Sequence, residues 1–281
     1  MRATRLIITA SRPVLVDAAV SAMTGYGTSV IGCDAEASRE STLDQSSTPD
    51  GRPGASILLF SFDKKSLEKA AINRVGQTVL TCATTACFNG LNASDNAQIR
   101  VGGNLRYFGD GHQISKKFGE KRFWRIPVMD GEFICEDHFG MVSGVAGGNL
   151  ILVGGDPDMV LDAALSAASA AASVENLILP FPGGVVRSGS RVGSTYQKLR
   201  ASTNSSWCPT LSNLPGTAMK PGENCVYELV MDGLSRGPVE EGMRRALHTA
   251  SHFPLTRITA GNYGGKLGAH HIHLKTLLDI A

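Results

Sequence analysis

The sequence predicts an α+β protein made of two ferredoxin-like lobes, related by internal duplication and joined by an inserted β-meander. Two observations favour this fold: the element order βαββαβ can be followed in each half, and one helical segment recurs. A third is a group of short strand-like segments, separated by turns, between the two halves. We expect the first lobe to span residues 1–148, with the meander at about 84–148, and the second lobe to span residues 149–281.

Apolar runs and helical periodicity define the first βαββαβ unit. Ser11 is the expected N-cap of the first helix, and Pro13 suits its first turn. Polar residues and turn formers predict a surface loop over residues 38–53. The expected elements are a strand at 5–10, a helix whose apolar face is Leu15, Ala18, Ala19, Ala22 and Met23, strands at 28–33 and 55–62, a helix at 64–75 and a strand from Thr78.

The second half repeats this order. Residues 11–22 (SRPVLVDAAVSA) align without a gap on residues 156–167 (DPDMVLDAALSA), and each copy follows an apolar strand. Two alanine-rich helices can converge by chance, but the matched flanking elements favour duplication. The remaining expected elements are strands at 176–179, 225–231 and 256–261 and a helix at 238–251.

The region between the halves carries turn signals rather than a linker composition. Strands are expected at residues 100–108, 121–128 and 131–136. The turn FGDG at residues 108–111 separates the first two, and a second turn lies at residues 129–131. These segments predict the inserted meander.

Composition excludes several classes of protein. The 281 residues carry 27 basic and 25 acidic side chains, intermixed, so no basic stripe suits nucleic acid. No apolar run is long enough to cross a bilayer, and the first residues lack the pattern of a signal peptide. Six cysteines form no CxxC pair, which favours reduced thiols and a cytoplasmic protein.

The strand expected at residues 225–231 (CVYELVM) carries one charged residue at its centre. Side chains alternate along a strand, so Glu228 shares an otherwise apolar face with Val226 and Val230. Burial raises the pKa of a carboxyl group, which makes such a glutamate a candidate general acid or base. From periodicity alone, an exposed strand position or an ion pair with an arginine of a neighbouring element is the favoured explanation.

Glycine-rich segments lie at or near three strand ends: GVAGGN at 144–149, PFPGG at 180–184 and NYGGKLG at 262–268. Such backbone lets N–H groups approach a ligand and stabilise a developing oxyanion. For any single segment, however, ordinary loop glycine is the favoured interpretation. Neither GYGTSV at 25–30 nor GVAGGN has the strand–helix context of a dinucleotide fingerprint.

Other polar groups are weaker candidates. The loop at residues 201–211 (ASTNSSWCPTL) places Asn204 beside Trp207 and Cys208, a mixture that suits a planar heterocycle. His270, His271 and His273 lack a carboxylate or cysteine at ligand spacing, so an exposed terminal segment is favoured over a metal site. The serines at 188–194 form no nucleophile elbow.

One acidic group lies within the meander region: Asp110, Glu132, Glu136 and Asp137. It would bind a cation or a basic substrate group, or it forms a solvated loop face. The pattern does not separate these alternatives.

Several short motifs, spread along nearly the whole chain, together resemble those of one known protein family and occur in the same order. They are TGYGTSVIGCDAEA at 24–37, DGRPG at 50–54, FGDG, GVAGGN, PFPGG, ASTN with CPTL, CVYELV and TAGNYGGKLG at 259–268. In these segments the chain resembles the formylmethanofuran:tetrahydromethanopterin N-formyltransferase family. The resemblance implies formyl transfer between the amine of methanofuran and a nitrogen of tetrahydromethanopterin, with two α/β lobes, a homotetramer, and Glu228 at the position of the catalytic glutamate.

The resemblance also implies partners and a binding site. A net charge of +2 fits the bacterial branch, in which the protein is the transferase subunit of a formyltransferase/hydrolase complex. Both carriers are then substrates, and no metal or tightly bound cofactor is expected. The expected substrate-binding residues are Asp110, Gly147, Gly183, Gly184, Asn204 and Asn262.

Two other functions stay open. A non-catalytic scaffold subunit of the same complex would not transfer formyl groups alone, and a different acyl- or aminotransferase would use folate or coenzyme A donors. The presence of Glu228 argues against the first, and the full set of motifs argues against the second.

Overall fold

The computed structural model describes residues 1–92, 94, 97–189, 191–261 and 270–278. Its internal contacts divide the chain into two compact units, Met1–Gly144 and Val145–Ala281. Each unit packs helices against a sheet, so the chain is an α+β protein, as the sequence predicts. Among the described helices, none combines the length and the apolar composition that a bilayer crossing requires.

Unit 1 (Met1–Gly144) is built on one large sheet. Its strands are β1 (Arg2–Thr9), β2 (Glu36–Leu43), β3 (Gly54–Ser61), β4 (Ala86–Asn89), β5 (Gln98–Ile99), β6 (Ile114–Phe118), β7 (Lys121–Val128), β8 (Gly131–Glu136), β9 (Phe139–Gly140) and β10 (Val142–Ser143). Its α-helices are α1 (Pro13–Thr24), α2 (Lys64–Arg74) and α3 (Gly102–Leu105). The strand order is β2-β3-β1-β4-β8-β7-β6, with β10 beside β1, while β5 pairs with β9.

Helices α1 and α2 cover one face of this sheet and form the core with it. Leu6 and Ile8 of β1 pack in the same buried cluster as the helices. Asp63 begins α2 by accepting a hydrogen bond from the Ser66 N–H at 2.8 Å. The predicted apolar stripe of this helix is confirmed, because Leu67, Ala70, Ala71 and Val75 are all buried.

Helix α1 begins one residue later than expected and presents a rotated face. Arg12, not Ser11, is the N-cap, and no side chain caps the helix. Ala18 and Ala22 of the predicted apolar face are exposed. The buried residues are Val16, Ala19, Val20 and Met23. The segment contains two competing apolar stripes, and the one with the larger valine side chains buries more area against the sheet.

The prediction of a strand at residues 28–33 is wrong. The prediction of a loop at residues 38–53 is wrong for residues 38–43, which belong to β2. Residues 28–33 form turns, closed by the Cys33 N–H to the Ser29 carbonyl at 2.8 Å. The strand is β2, three residues further on, with a mostly polar sequence. A sheet edge tolerates such polarity because one side of the strand faces solvent, and β2 is the edge of this sheet.

The chain is helical in two further segments for which the sequence predicts strands, the one from Thr78 and the one at residues 100–108. Residues 75–79 continue α2 as a π-helical turn, and the strand expected at Thr78 begins instead at Ala86. Residues 100–108 form α3 and a 3-10 turn, in which Val101 and Leu105 are buried at helical spacing. The strands β7 and β8 have the predicted bounds.

Unit 2 (Val145–Ala281) has a smaller sheet. Its strands are β11 (Val145–Gly154), β12 (Leu177–Ile178), β13 (Arg191–Val192), β14 (Ala201–Ser202), β15 (Cys225–Gly233) and β16 (Arg257–Thr259). Its α-helices are α4 (Pro157–Ala172), α5 (Arg236–Ala250) and α6 (Leu274–Leu278). The strand order is β12-β15-β11-β16, and β13 pairs with β14 separately.

The helices α4 and α5 pack on one face of this four-stranded sheet. Asp156 caps α4 by accepting hydrogen bonds from two backbone N–H groups of its first turn. The close approach of α5 depends on Gly148, where an added Cβ would lie 2.3 Å from Val239 Cγ1. The opposite face of the sheet carries Glu228.

Candidate active site

Glu228 lies near the middle of β15, between two neighbouring backbone segments. Its N–H donates to the Val186 carbonyl at 3.0 Å, and its carbonyl accepts from the Val186 N–H at 2.7 Å. On its other side it is in register with Ile151 of β11. Because both backbone groups of Glu228 bond to Val186, the pair with Ile151 is of the closer, non-hydrogen-bonded kind. Glu228 is 7% exposed.

The two faces of β15 differ as strand alternation predicts. Leu229 and Met231 belong to the core beneath α4 and α5. Val226 and Glu228 face the other way and line a surface depression. The carboxyl group is therefore buried next to apolar neighbours, on the side of the sheet away from the helices.

The depression is small and partly open to solvent. Its lining residues are Ile151, Val186, Arg187, Ser188, Gly189, Asn204, Trp207, Cys208, Val226 and Glu228. This combination of apolar walls and a few polar groups is typical of sites for small molecules.

The loop at residues 201–211 supplies one wall of the depression, so the structure brings Asn204 together with Glu228. A 3-10 turn at Ser205–Trp207 closes with the Trp207 N–H donating to the Asn204 carbonyl at 2.9 Å. The Cys208 thiol donates to the same carbonyl at 3.4 Å. The side chain of Asn204 does not cap this turn.

Gly183 and Gly184 lie on the path that leads to Val186. The chain pairs with β15 at Ile178, opposite Asp232, and again at Val186, opposite Glu228. From Ile178 to Val186 the chain advances eight residues, while β15 advances only four between Asp232 and Glu228. The extra residues leave the sheet in the turn at Pro182–Gly184. Both glycines have positive φ, 66° and 75°, which favours glycine at this turn.

Gly147 has a different environment. It lies at a bulge of β11, with φ of 86°, and its N–H donates to Oδ1 of the buried Asp232 at 3.0 Å. That donor is thus bound to a carboxylate of the same sheet.

The remaining predicted residues fall elsewhere. Asp110 lies in unit 1, exposed, in a left-handed turn conformation with φ of 48°. Asn262 lies outside the described residues. His270, His271 and His273 are not buried. Among the described residues, no group of three or more potential ligands is placed to hold a metal ion.

The acidic residues of unit 1 have separate partners. Glu132 pairs with Arg125, with the carboxylate 2.5 Å from Nη2. Asp137 accepts from Trp124 Nε1 at 2.7 Å. Glu136 accepts from the Asn89 N–H at 3.0 Å, and burial raises the pKa of its carboxyl group. These contacts favour a structural role over a shared cation site.

Arg257 and Glu223 support the wall of the depression, and the sequence pattern did not predict either of them. The Arg257 guanidinium lies over the Trp207 ring, with Cζ 5.0 Å from the ring centroid. It also pairs with the buried carboxylate of Glu223 at 2.8 Å. Burial acts to raise the pKa of Glu223, but hydrogen bonds from Arg257 and the Lys220 N–H outweigh it and lower the pKa. No local pattern links two residues 34 positions apart.

Comparison with known proteins places this architecture in a family. A family model described as formylmethanofuran-tetrahydromethanopterin formyltransferase matches residues 1–128, and its companion, described as the proximal lobe, matches residues 131–277. The formylmethanofuran–tetrahydromethanopterin formyltransferase of Methylococcus capsulatus is 49% identical over 99% of this chain and 94% of its own length. One component of the formyltransferase/hydrolase complex of Methylorubrum extorquens is 47% identical over 98% of this chain and 91% of its own length.

Solved structures agree with these sequence relatives. The formyltransferase/hydrolase complex of Methylorubrum extorquens, crystallised with methylofuran, contains a chain with a TM-score of 0.93 and 46% identity, covering 99% of this chain and 92% of that one. The formyltransferase of Methanosarcina barkeri matches with a TM-score of 0.90 and 38% identity, over 98% and 94% of the two chains. The chain therefore belongs to the formylmethanofuran–tetrahydromethanopterin formyltransferase family.

Proposed function

We propose that the depression around Glu228 is the place where this chain transfers formyl groups. The chain is an acyltransferase that moves a formyl group between tetrahydromethanopterin and the amine of methanofuran or a methanofuran-like carrier, in one-carbon metabolism. One observation carries the choice of site: Glu228 is buried on the helix-free face of its sheet and lines the same depression as Asn204.

The chemistry begins when the lone pair of the acceptor amine attacks the formyl carbon. A new C–N bond forms, and the formyl oxygen takes negative charge in a tetrahedral intermediate. The intermediate collapses when the bond to the donor nitrogen breaks and that nitrogen gains a proton. The attacking nitrogen must lose a proton. One carboxylate can therefore accept this proton during the attack and donate it to the leaving nitrogen when the intermediate collapses.

Glu228 is the proposed proton carrier. It is held by backbone bonds on one side and by Ile151 on the other, so it is positioned before a carrier binds. Proton transfer by a positioned side chain is typically worth about a hundred- to ten-thousandfold in rate.

The oxyanion needs hydrogen-bond donors. The amide of Asn204 lines the depression with Glu228 and is the proposed side-chain donor. Gly183 and Gly184 are proposed to contribute by shaping the backbone that reaches Val186. Asp110, Gly147 and Asn262 remain proposed substrate-binding residues on the family resemblance alone.

The proposal also covers the two substrates, the direction of formyl transfer and the partner subunits. Both carriers act as substrates, with no tightly bound cofactor or metal. The formyl group passes from tetrahydromethanopterin to the methanofuran-like carrier, and partner subunits hydrolyse it to formate. The relatives from Methylorubrum extorquens, one named as part of a formyltransferase/hydrolase complex and one crystallised with methylofuran, support this assignment.

The assembly is proposed to be a homotetramer in the cytoplasm, alone or with those partner subunits. The described cysteines are all free thiols, in keeping with a reducing compartment. Light scattering of the purified chain would distinguish a tetramer from a monomer or dimer.

The finer fold assignment is also a proposal: two ferredoxin-like lobes, at residues 1–148 and 149–281, arose by duplication. The orders β2-β3-β1-β4 and β12-β15-β11-β16 support it, since both are antiparallel and place the elements of a βαββαβ unit alike. The aligned segments that contain α1 and α4 support it as well.

The test is formyl transfer by the purified chain between formyl-tetrahydromethanopterin and a furfurylamine-type acceptor, for wild type and Glu228→Gln. The variant keeps the shape of the side chain, so we expect kcat to fall about a hundredfold or more with the fold intact. Glu40→Gln, at a glutamate of unit 1 whose side chain is 8% exposed, is the matched control: it weakens the ion pair with Arg5 and lowers stability, but the folded variant should retain kcat.

Each contrary result is informative. Equal rates for wild type and Glu228→Gln would remove the proton-carrier role. No transfer by wild type would favour the scaffold function, and transfer only from folate or coenzyme A donors would favour a different acyltransferase.

A further inference from the structure

The Trp207 ring has a cation on one face while it lines the depression. Arg257 extends from β16, and its Cζ lies 5.0 Å from the ring centroid. Arg257 is not among the residues that line the depression, whereas Trp207 is. The guanidinium therefore covers one face of the ring without itself lining the depression.

Arg257 is itself held in place by three contacts. Its Nη2 donates to Glu223 Oε2 at 2.8 Å and to the Ala218 carbonyl at 2.8 Å, and its Nε donates to Glu223 Oε1 at 3.2 Å. The Glu223 side chain is fully buried. The Lys220 N–H donates to the same carboxylate at 2.8 Å, which orients it. A forked guanidinium in this geometry has little freedom to leave the ring.

The loop that carries Trp207 is closed by the same contacts. The Ala218 N–H donates to the Ser206 carbonyl at 2.8 Å, next to Trp207 in sequence. Ala218 is also bound to Arg257 through its own carbonyl. The segment next to Trp207 is thus tied to Arg257 through Ala218 before any ligand binds, which lowers the entropy cost of binding.

We propose that Arg257, oriented by Glu223, is a positioning residue that holds Trp207 as a stacking platform for the planar heteroaromatic ring of one carrier. An aromatic ring binds a cation on one face and stacks a second ring on the other. The proposal rests on the proposed function, since it assigns a substrate ring to the depression that contains Glu228.

The test combines kinetics with a signal from Trp207 itself. The sequence contains two tryptophans, so 5-fluorotryptophan labelling gives two fluorine resonances, and Trp207→Phe assigns one of them. In Arg257→Met we expect the Trp207 resonance to shift, and the KM of one carrier to rise about tenfold, the loss of one stacking-sized contact. The kcat at saturation should change less than about twofold because Arg257 does not touch the reacting atoms.

Two further variants keep the test decisive. Arg257→Met leaves a buried carboxylate without its cation, so Arg257→Met combined with Glu223→Gln is used if the single variant unfolds. Arg257→Lys should fall between wild type and Arg257→Met, because lysine keeps the charge but not the planar fork. The control is Arg236→Met, which removes an exposed arginine paired with Glu240 on α5.

Titration of each carrier into labelled wild-type protein separates this proposal from the proposed function. A Trp207 resonance that moves with one carrier supports the platform even if wild type transfers no formyl group. A resonance that neither carrier moves overturns the platform, as does Arg257→Met with an unshifted resonance or with both KM values unchanged.

Discussion

Each unit holds a glutamate with a buried side chain on the helix-free face of its sheet, and the two are built differently. In unit 1, Glu40 accepts hydrogen bonds from Arg5 Nη2 at 2.6 Å and Nε at 2.7 Å, and from Ser56 Oγ at 2.6 Å. In unit 2, Glu228 lines a partly open surface depression. The carboxylate of unit 1 is enclosed by an arginine fork, whereas Glu228 of unit 2 is one of the residues that line a surface depression.

Four strands of the larger sheet, β2-β3-β1-β4, follow the same order as the four strands of the smaller one, so the difference between the two glutamates lies in local sequence. Strand β3 holds the same place in its order as β15, and all eight of its residues are buried. Strand β15 instead carries Glu228 and Asp232. The comparison shows that two sheets of similar strand order place a buried glutamate in different surroundings, one in an ion pair with Arg5 and one beside a depression.

The largest effect is expected when the ion pair of unit 1 is broken. Arg5→Met leaves the buried carboxylate of Glu40 without its cation, so the free energy of unfolding should fall by about 3 kcal/mol. Urea unfolding measures it. Arg39→Met, which removes a more exposed pair with Asp17, should cost at most about 1 kcal/mol. Equal losses in the two variants would show that burial does not make the Arg5–Glu40 pair costlier to break than an exposed pair.

A smaller effect is expected at the turn that brings Val186 to Glu228. Gly184→Ala requires an unfavourable φ of 75° and places a Cβ 2.9 Å from Ala168 Cβ. We expect a loss of about 2 kcal/mol, with a lower kcat because Glu228 shifts.

Gly183→Ala is the matched control for this turn. It has a similar φ of 66° but meets no atom within 4 Å, so its cost should be about 1 kcal/mol from the backbone alone. Equal stability of the two alanine variants would show that packing on α4 does not hold the turn.

The smallest expected effect is on the pH dependence of the free energy of unfolding, to which one glutamate of each unit contributes with opposite sign. The pKa of Glu136 in unit 1 is raised by burial, so its contribution to stability is full below the ordinary value of 4.5 and is lost as the pH rises through the raised pKa. The pKa of Glu223 in unit 2 is lowered, so its contribution is present above 4.5 and is lost as the pH falls.

Urea unfolding at several pH values on both sides of 4.5 measures these trends. The advantage of wild type over Glu136→Gln should shrink as the pH rises, and its advantage over Glu223→Gln should shrink as the pH falls. Parallel trends in the two variants would contradict the assignment of burial to one group and of ion pairing to the other.

Strong periodic segments of the fold were predictable. The bounds of β7 and β8, the apolar stripe of α2 and the two faces of β15 follow from local pattern. The errors fall where burial and polarity are set by neighbours. The polar strand β2 is stable because it pairs with β3 at the sheet edge, whereas residues 28–33 contain apolar side chains and yet form turns.

The sequence alone determined that Glu228 points away from the core, because alternation along a strand is a property of the local backbone. It also determined the family, through motifs spread over the whole chain. Only the tertiary structure decided that Val186, Trp207 and Arg257 surround or support this glutamate's depression. Such contacts join segments far apart in the chain, and their energy depends on distance in space, which no spacing in sequence records.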